Sequence, residues 1–170
     1  TGTATSHSII GNYIGNITNN YSGASTASSV RALHVAPTGT GAFVVSGNKI
    51  EQIFNTSPST ATAAGAANHA ITVNTTTATS ITITRNIIRS VNSTSTTGAV
   101  VTNGIYYAGP TSGNHIISRN LIHSISPTAV NPSAVVVGID VNSGNVTVAN
   151  NMIRLGIDST GTAASTAFTL

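Results

Sequence analysis

Residues 81–91 read ITITRNIIRSV, with apolar residues at Ile81 and Ile83, an asparagine at Asn86, and further apolar residues two and five positions after it. Apolar residues that alternate with polar ones mark a β-strand with one buried face. The same arrangement recurs along the chain, so residues 81–91 are one copy of a structural repeat. The other copies are residues 7–17 (HSIIGNYIGNI), 43–53 (FVVSGNKIEQI), 115–125 (HIISRNLIHSI) and 146–156 (VTVANNMIRLG, in which Gly156 breaks the last apolar position).

Each repeat combines an anchor asparagine with a second apolar block. The blocks precede the next anchor at a nearly constant distance, whereas the tracts that lead into them vary in length and are rich in Ser, Thr and Ala. The anchors are Asn12, Asn48, Asn86, Asn120 and Asn151, at intervals of 36, 38, 34 and 31 residues. The blocks are residues 32–35, 70–73, 104–107, 138–141 and 167–170.

A repeat of this length without a helical pattern cannot bury its own apolar face, so consecutive copies must stack. In a parallel solenoid, equivalent residues lie above one another at a spacing of about 4.8 Å. We therefore predict an all-β fold, a right-handed parallel β-helix (β-solenoid) of about five coils of 31–38 residues. Residues 1–170 are expected to be a single domain or a segment of a longer solenoid. The coils are placed roughly at residues 1–41, 42–79, 80–113, 114–144 and 145–170.

The anchor asparagines are predicted to form a ladder at one turn of the solenoid. Each side-chain amide can then bond the asparagine of the coil above and that of the coil below, as in stacked asparagines of cross-β assemblies. Asparagine also tolerates the left-handed backbone that a sharp turn requires, so we expect the anchors themselves to adopt it.

Composition narrows the function classes. Only 5% of the residues are charged, too few to provide the polar faces of several soluble helices. The net charge of +3 reflects a scarcity of acids, and no cluster of Lys and Arg indicates nucleic-acid binding. The chain has no cysteine and no apolar run long enough for a membrane helix, so we expect neither disulfides nor membrane insertion.

The motif in residues 81–91 and 115–125 resembles the coil repeat of right-handed parallel β-helix proteins, the fold of pectate lyases. The Ser/Thr/Gly-rich tracts followed by GIYY or GIDV resemble repeat segments of very large secreted bacterial surface proteins. The resemblance covers nearly the whole chain and implies an extracellular or cell-surface location. It does not fix the function, because this fold carries lyases, hydrolases, tailspikes and adhesins.

Catalysis by this fold uses clustered carboxylates, which hold Ca²⁺ or act as acid and base. The acidic residues here are Glu51, Asp140 and Asp158, and no two of them share a column in adjacent coils. His7 and His115 share a column but lie three coils apart, about 14 Å, too far for a common metal. We therefore expect no enzyme activity, no catalytic residues, no cofactor and no metal.

A strip of basic residues is the candidate for contact with a surface glycan. It has two interpretations, a contact for an acidic glycan or a few charges that keep a neutral surface soluble, and the second is favoured. The strip consists of Arg85, Arg119, Arg89 and Arg154.

The two ends suggest the function. No capping element is recognisable, and the register between Leu170 and the Asn12 of a second copy nearly matches the register inside the chain. We therefore predict a non-enzymatic extracellular structural module, whose partner is itself, stacked head to tail as a fibre subunit, or the adjacent coils of a longer stalk in a bacterial surface adhesin. The alternative is a carbohydrate-binding or carbohydrate-cleaving β-helix protein. The candidate end-to-end contacts are Ile9, Ile14, Leu33, Val148, Ile153, Phe168 and Leu170.

Overall fold

The computed structural model describes residues 6–21, 29–59, 68–95, 99–127, 132–158 and 160–163. These residues form strands, turns and loops, with no helix among them and therefore no membrane-spanning helix. The strands form three parallel sheets. Sheet A contains β1 (Ser6–Ile10), β4 (Ala42–Ser46), β7 (Ser80–Thr84), β10 (Asn114–Ser118) and β13 (Thr147–Ala149). Sheet B contains β2 (Tyr13–Asn19), β5 (Lys49–Asn55), β8 (Ile87–Ser93), β11 (Leu121–Pro127) and β14 (Met152–Arg154). Sheet C contains β3 (Val30–Val35), β6 (Asn68–Asn74), β9 (Val101–Ala108) and β12 (Val135–Ser143).

Successive strands along the chain belong to sheet A, then sheet B, then sheet C. Each strand pairs in parallel with the equivalent strands of the neighbouring coils. The register is that of the sequence repeat: Ile50 pairs with Ile88, and Ile88 with Ile122. This arrangement is the predicted parallel β-solenoid.

The predicted number of five coils is corrected to about four. Four coils contribute a strand to each sheet, whereas the fifth contributes only β13 and β14. After Arg154 the chain leaves the parallel pattern, with Gly156 at a φ of 78° and an antiparallel bridge between Ile157 and Ala163. Gly156 occupies the position of the missing core residue, so the fifth copy lacks the side chain that anchors this turn in the others. The block at residues 167–170 lies outside the described residues.

A left-handed residue explains how apolar positions three residues apart both reach the core. In a flat strand, the residues two and five positions after the anchor would lie on opposite faces. The residue four positions after the anchor has positive φ in the first four coils, which bends the strand and turns the later residue inward. These residues are Asn16, Gln52, Ser90 and Ser124, with φ of 54–59°.

A second left-handed position lies at the ladder turn, where it corrects the sequence expectation. The residue with positive φ is the one before each anchor, and the anchor itself is not left-handed. Asparagine is used here for its side-chain amide, while the residue before it supplies the sharp bend. The residues with positive φ are Gly11, Gly47, Arg85, Arg119 and Asn150.

The core consists of apolar columns that run along the solenoid axis. Ile88 and Ile122 have no exposed surface, as the inward assignment of their column predicts. The columns become accessible at the two ends: Ile9 and Ile14 are only partly buried in the first coil, and Ile153 is 44% exposed in the fifth. The middle coils are therefore fully enclosed, and the outermost described coils are not.

Candidate functional site

The asparagine ladder is present, and its hydrogen bonds repeat at every step. The backbone N–H of Asn86 donates to Oδ1 of Asn120 at 3.0 Å, and Nδ2 of Asn86 donates to the same oxygen at 2.9 Å. The second Nδ2 proton of Asn86 goes to the carbonyl of Val45, in the preceding coil, at 3.0 Å. The steps from Asn12 to Asn48, from Asn48 to Asn86 and from Asn120 to Asn151 repeat the two bonds to Oδ1.

The ladder has a direction. Each coil donates to the Oδ1 of the next coil, so Asn12 is only a donor in it and Asn151 only an acceptor along that series. Among the described residues, none donates to Oδ1 of Asn12. Nδ2 of Asn12 donates to Oδ1 of Asn48 and also to the carbonyl of Ile10 in its own coil, at 3.2 Å. In later coils the second bond goes to a carbonyl of the preceding coil. Within the described residues, every ladder group of the middle coils is paired, whereas the first coil has an unpaired acceptor and the last coil has unpaired donors.

A compact ion-pair network occupies the outer face of sheet B in the second and third coils. Glu51 is paired with Lys49 at 2.9 Å and with Nε of Arg89 in the next coil. Hydrogen bonds from Lys49 and then Arg89 lower the pKa of Glu51 to about 2. Arg89 is therefore ion-paired within the molecule, and the three side chains together keep a net charge of +1.

The remaining arginines of the basic strip are exposed. Arg85 and Arg119 lie in adjacent coils at the ladder turn, and no described carboxylate pairs with them. Arg154 lies in the column of Arg89 but is separated from it by His123. Burial, and then the neighbouring Arg89 and Arg154, lower the pKa of His123, which disfavours its cationic form. The strip thus offers three uncompensated guanidinium groups, two of them side by side.

Sheet C carries a buried polar cluster that the sequence did not predict. The cluster lies on the side of the sheet away from the isoleucine core, and it occupies two neighbouring columns. Nδ1 of His69 is hydrogen-bonded to Oγ1 of Thr72 at 2.9 Å, and the ring of His69 contacts that of Tyr106 at 5.2 Å. Asn103, one coil further, donates to Asp140 at 3.3 Å. The columns are Arg31, His69 and Asn103, and His34, Thr72, Tyr106 and Asp140.

Burial controls the protonation of this cluster. His69 has no exposed surface, and desolvation, with the charge of Arg31 as a smaller cause, lowers its pKa to about 3. Desolvation also raises the pKa of Asp140, although the hydrogen bond from Asn103 opposes the shift. Within the part of the chain that the structure describes, Nε2 of His69, Oδ1 of Asn103 and Nε of Arg31 are buried and have no hydrogen-bond partner. A buried polar atom that stays unpaired lowers stability.

Acid should destabilise the protein through His69. Because the folded-state pKa is about 3 against 6.5 for the free side chain, unfolding takes up a proton below pH 6.5, and stability falls as pH falls toward 3. Between pH 7 and pH 4.5 we expect a loss of roughly 2–3 kcal/mol from this group. Urea unfolding at both pH values measures it. His69→Gln should flatten the dependence more than His34→Gln, because burial and Arg31 also lower the pKa of His34. Equal slopes in all three proteins would contradict this assignment.

The acidic residues do not form a catalytic pair in the structure. Glu51 is engaged with Lys49 and Arg89 on sheet B, whereas Asp140 is on sheet C. Asp158 accepts hydrogen bonds from Thr160 and Thr162 within a local turn. The register places His7 and His115 three coils apart, and no group of three metal-ligating side chains occurs among the described residues.

The predicted end contacts fall into three groups. Ile9, Ile14, Val148 and Ile153 keep accessible surface at the outermost described coils. Leu33 lies in the edge strand of sheet C, packs into the core and is only 6% exposed, so its place in an end contact stays a prediction. Phe168 and Leu170 lie outside the described residues.

No protein family, curated protein or solved structure shows a significant match to this chain.

Proposed function

We propose that this chain is a non-enzymatic extracellular structural module, which stacks end to end as a fibre subunit or forms a stalk segment of a bacterial surface adhesin. The carrying observation is that the asparagine ladder and two core columns run through all five described coils, from Ile9 to Val148 and from Ile14 to Ile153. A location outside the cell rests on the resemblance of the repeats to secreted bacterial surface proteins.

The apolar surface at the ends supports stacking. Val148 is 47% exposed and Ile153 is 44% exposed, although their counterparts Ile117 and Ile122 in the preceding coil are fully buried. At the opposite end an open groove is lined by residues that include Ile9, Val35 and Phe43. Covering such surface is favourable by about 25 cal/mol per Å², and each pairing would also satisfy free strand edges.

A charge placed in an end column should prevent stacking. Val148→Lys is expected to keep the protein monomeric under conditions in which the parent chain forms filaments, because the ammonium group would have to be buried in the contact. Sedimentation velocity and electron microscopy measure the assembly. The matched control is Thr147→Lys, which adds the same charge on the outer face of the same strand and should leave filaments intact. Filaments of equal length from all three proteins, or none from the parent chain at high concentration, would contradict stacking of separate subunits.

Carbohydrate binding is the second candidate, favoured by the uncompensated Arg85, Arg119 and Arg154. A polyuronate should bind the protein, weaken with added salt, and lose affinity in the double variant Arg85→Gln/Arg119→Gln. Isothermal titration against a polyuronate and a neutral glycan of similar length tests this. Arg31→Gln removes the same type of charge from sheet C and serves as control. Equal binding of both glycans would exclude the basic strip as the contact, and cleavage of either would indicate the carbohydrate-cleaving alternative.

A further inference from the structure

The direction of the ladder makes its two ends chemically complementary. Every internal step joins two donors of one coil, a backbone N–H and Nδ2, to one acceptor of the next coil, Oδ1. At the first described coil the acceptor Oδ1 of Asn12 receives nothing from the described residues. At the last coil, the N–H of Asn151 and one Nδ2 proton have no described acceptor, since Nδ2 is bonded only to the carbonyl of Ile117. The missing partner of each end is the kind of group that the other end offers.

The backbone next to the ladder is complementary in the same sense. At each internal step the residue after one anchor donates its N–H to the anchor carbonyl of the preceding coil, as Met152 does to Asn120 at 2.9 Å. Tyr13 holds this position in the first coil, and no described carbonyl accepts its N–H. The carbonyl of Asn151 is the corresponding acceptor at the other end, and no described residue donates to it.

The columns fix how the two ends would align. Ser8 and Thr147 belong to one outward column, and Ile9 and Val148 to the inward column beside it. Continuing the solenoid by one coil therefore sets Thr147 of one copy beside Ser8 of the next. The same step places Val148 against Ile9 and so covers an exposed side chain.

We propose that a second copy of this chain binds head to tail in the register of the internal coils, with the ladder continuing from Asn151 of one copy to Asn12 of the next. The N–H and Nδ2 of Asn151 donate to Oδ1 of Asn12, and the N–H of Tyr13 donates to the carbonyl of Asn151. The inference rests on the proposed structural function and adds the register, polarity and atoms of the contact.

This contact excludes symmetric pairing. Two first coils placed together would bring acceptor against acceptor in the ladder, and two last coils would bring donor against donor. A head-to-tail contact does not close on itself, so it produces open filaments in which all copies point the same way. Specificity for the register comes from the ladder, because a shift of two residues along the strands separates donors from acceptors by about 6.6 Å.

Engineered disulfides test the register, since the chain has no cysteine of its own. Ser8 and Thr147 are exposed, and in the proposed contact their Cα atoms lie about 4.8 Å apart, within the range that a disulfide spans. The double variant Ser8→Cys/Thr147→Cys should therefore form disulfide-linked multimers of increasing size on mild oxidation. The matched control Ser6→Cys/Thr147→Cys moves one cysteine by two residues on the same face, to about 8 Å, and should cross-link at least tenfold less.

The outcomes separate this inference from the function on which it rests. Filaments that cross-link through the first pair and not the second support the proposed register. Filaments that cross-link through the second pair, or through neither, overturn the register while stacking as a function stands. A reduced protein that stays monomeric at high concentration, with native β-sheet circular dichroism, overturns both. Electron microscopy of the reduced double variants shows whether the substitutions themselves disturb assembly.

Discussion

Truncating Ile88 to alanine is expected to lower the free energy of unfolding by about 2–5 kcal/mol. Ile88 has no exposed surface, and its neighbours in the column, Ile50 and Ile122, are equally enclosed. Each coil is only one strand thick along the axis, so the backbone hydrogen bonds on both sides hold the neighbouring coils at a fixed distance. The cavity left by the missing atoms therefore cannot collapse easily, which places the cost in the upper part of the range for such substitutions.

Chemical denaturation of the two proteins measures the difference, and the adjacent residue provides the control. Ile87 is 40% exposed on the outer face of the same strand, so Ile87→Ala should cost less than about 1 kcal/mol. If Ile88→Ala cost less than Ile87→Ala, Ile87 would face the core and Ile88 the solvent. The inward assignment of every residue equivalent to Ile88 would then also be wrong.

The fold was predictable because the repeat encodes it redundantly. Ile50, Ile88 and Ile122 stand at the same offset from three different anchors, and stacking is the arrangement that buries them all. The coil number was less predictable because it depends on one copy. In the fifth repeat Gly156 replaces the core residue, and the chain there bends away from the parallel pattern.

The backbone of the turns was predicted only in part. Asparagine offers two properties that a turn can use, a left-handed backbone and a side-chain amide, and the sequence does not say which is used. The structure places positive φ on Arg85 and Arg119, residue types that give no signal for it. The sequence also could not predict the direction of the ladder. Each asparagine carries both a donor, the NH2 group, and an acceptor, Oδ1, and the residue type does not say which of them points to the next coil.

The polar cluster on sheet C left no signal in the repeat. His69, Asn103 and Val137 occupy one column, and the residue type changes at every coil. A periodicity argument treats such a column as outward and solvated. Its burial depends on the surroundings of the sheet, and the strongly lowered pKa of His69 follows from that burial and not from any local motif.

Replacing Asn86 with leucine is expected to destabilise the protein by about 2–4 kcal/mol, because the ladder is interrupted where it is fully buried. The N–H and Nδ2 of Asn48 lose their acceptor, Oδ1 of Asn120 loses a donor, and the carbonyl of Val45 loses another. Leucine has a similar volume, so the loss reports hydrogen bonds more than packing. The control is Asn12→Leu at the exposed end of the ladder, which leaves fewer groups unsatisfied and should cost less than about 1 kcal/mol in urea unfolding. Equal costs at the two positions would show that water reaches the middle of the ladder and that the asparagines do not act as a buried hydrogen-bond chain.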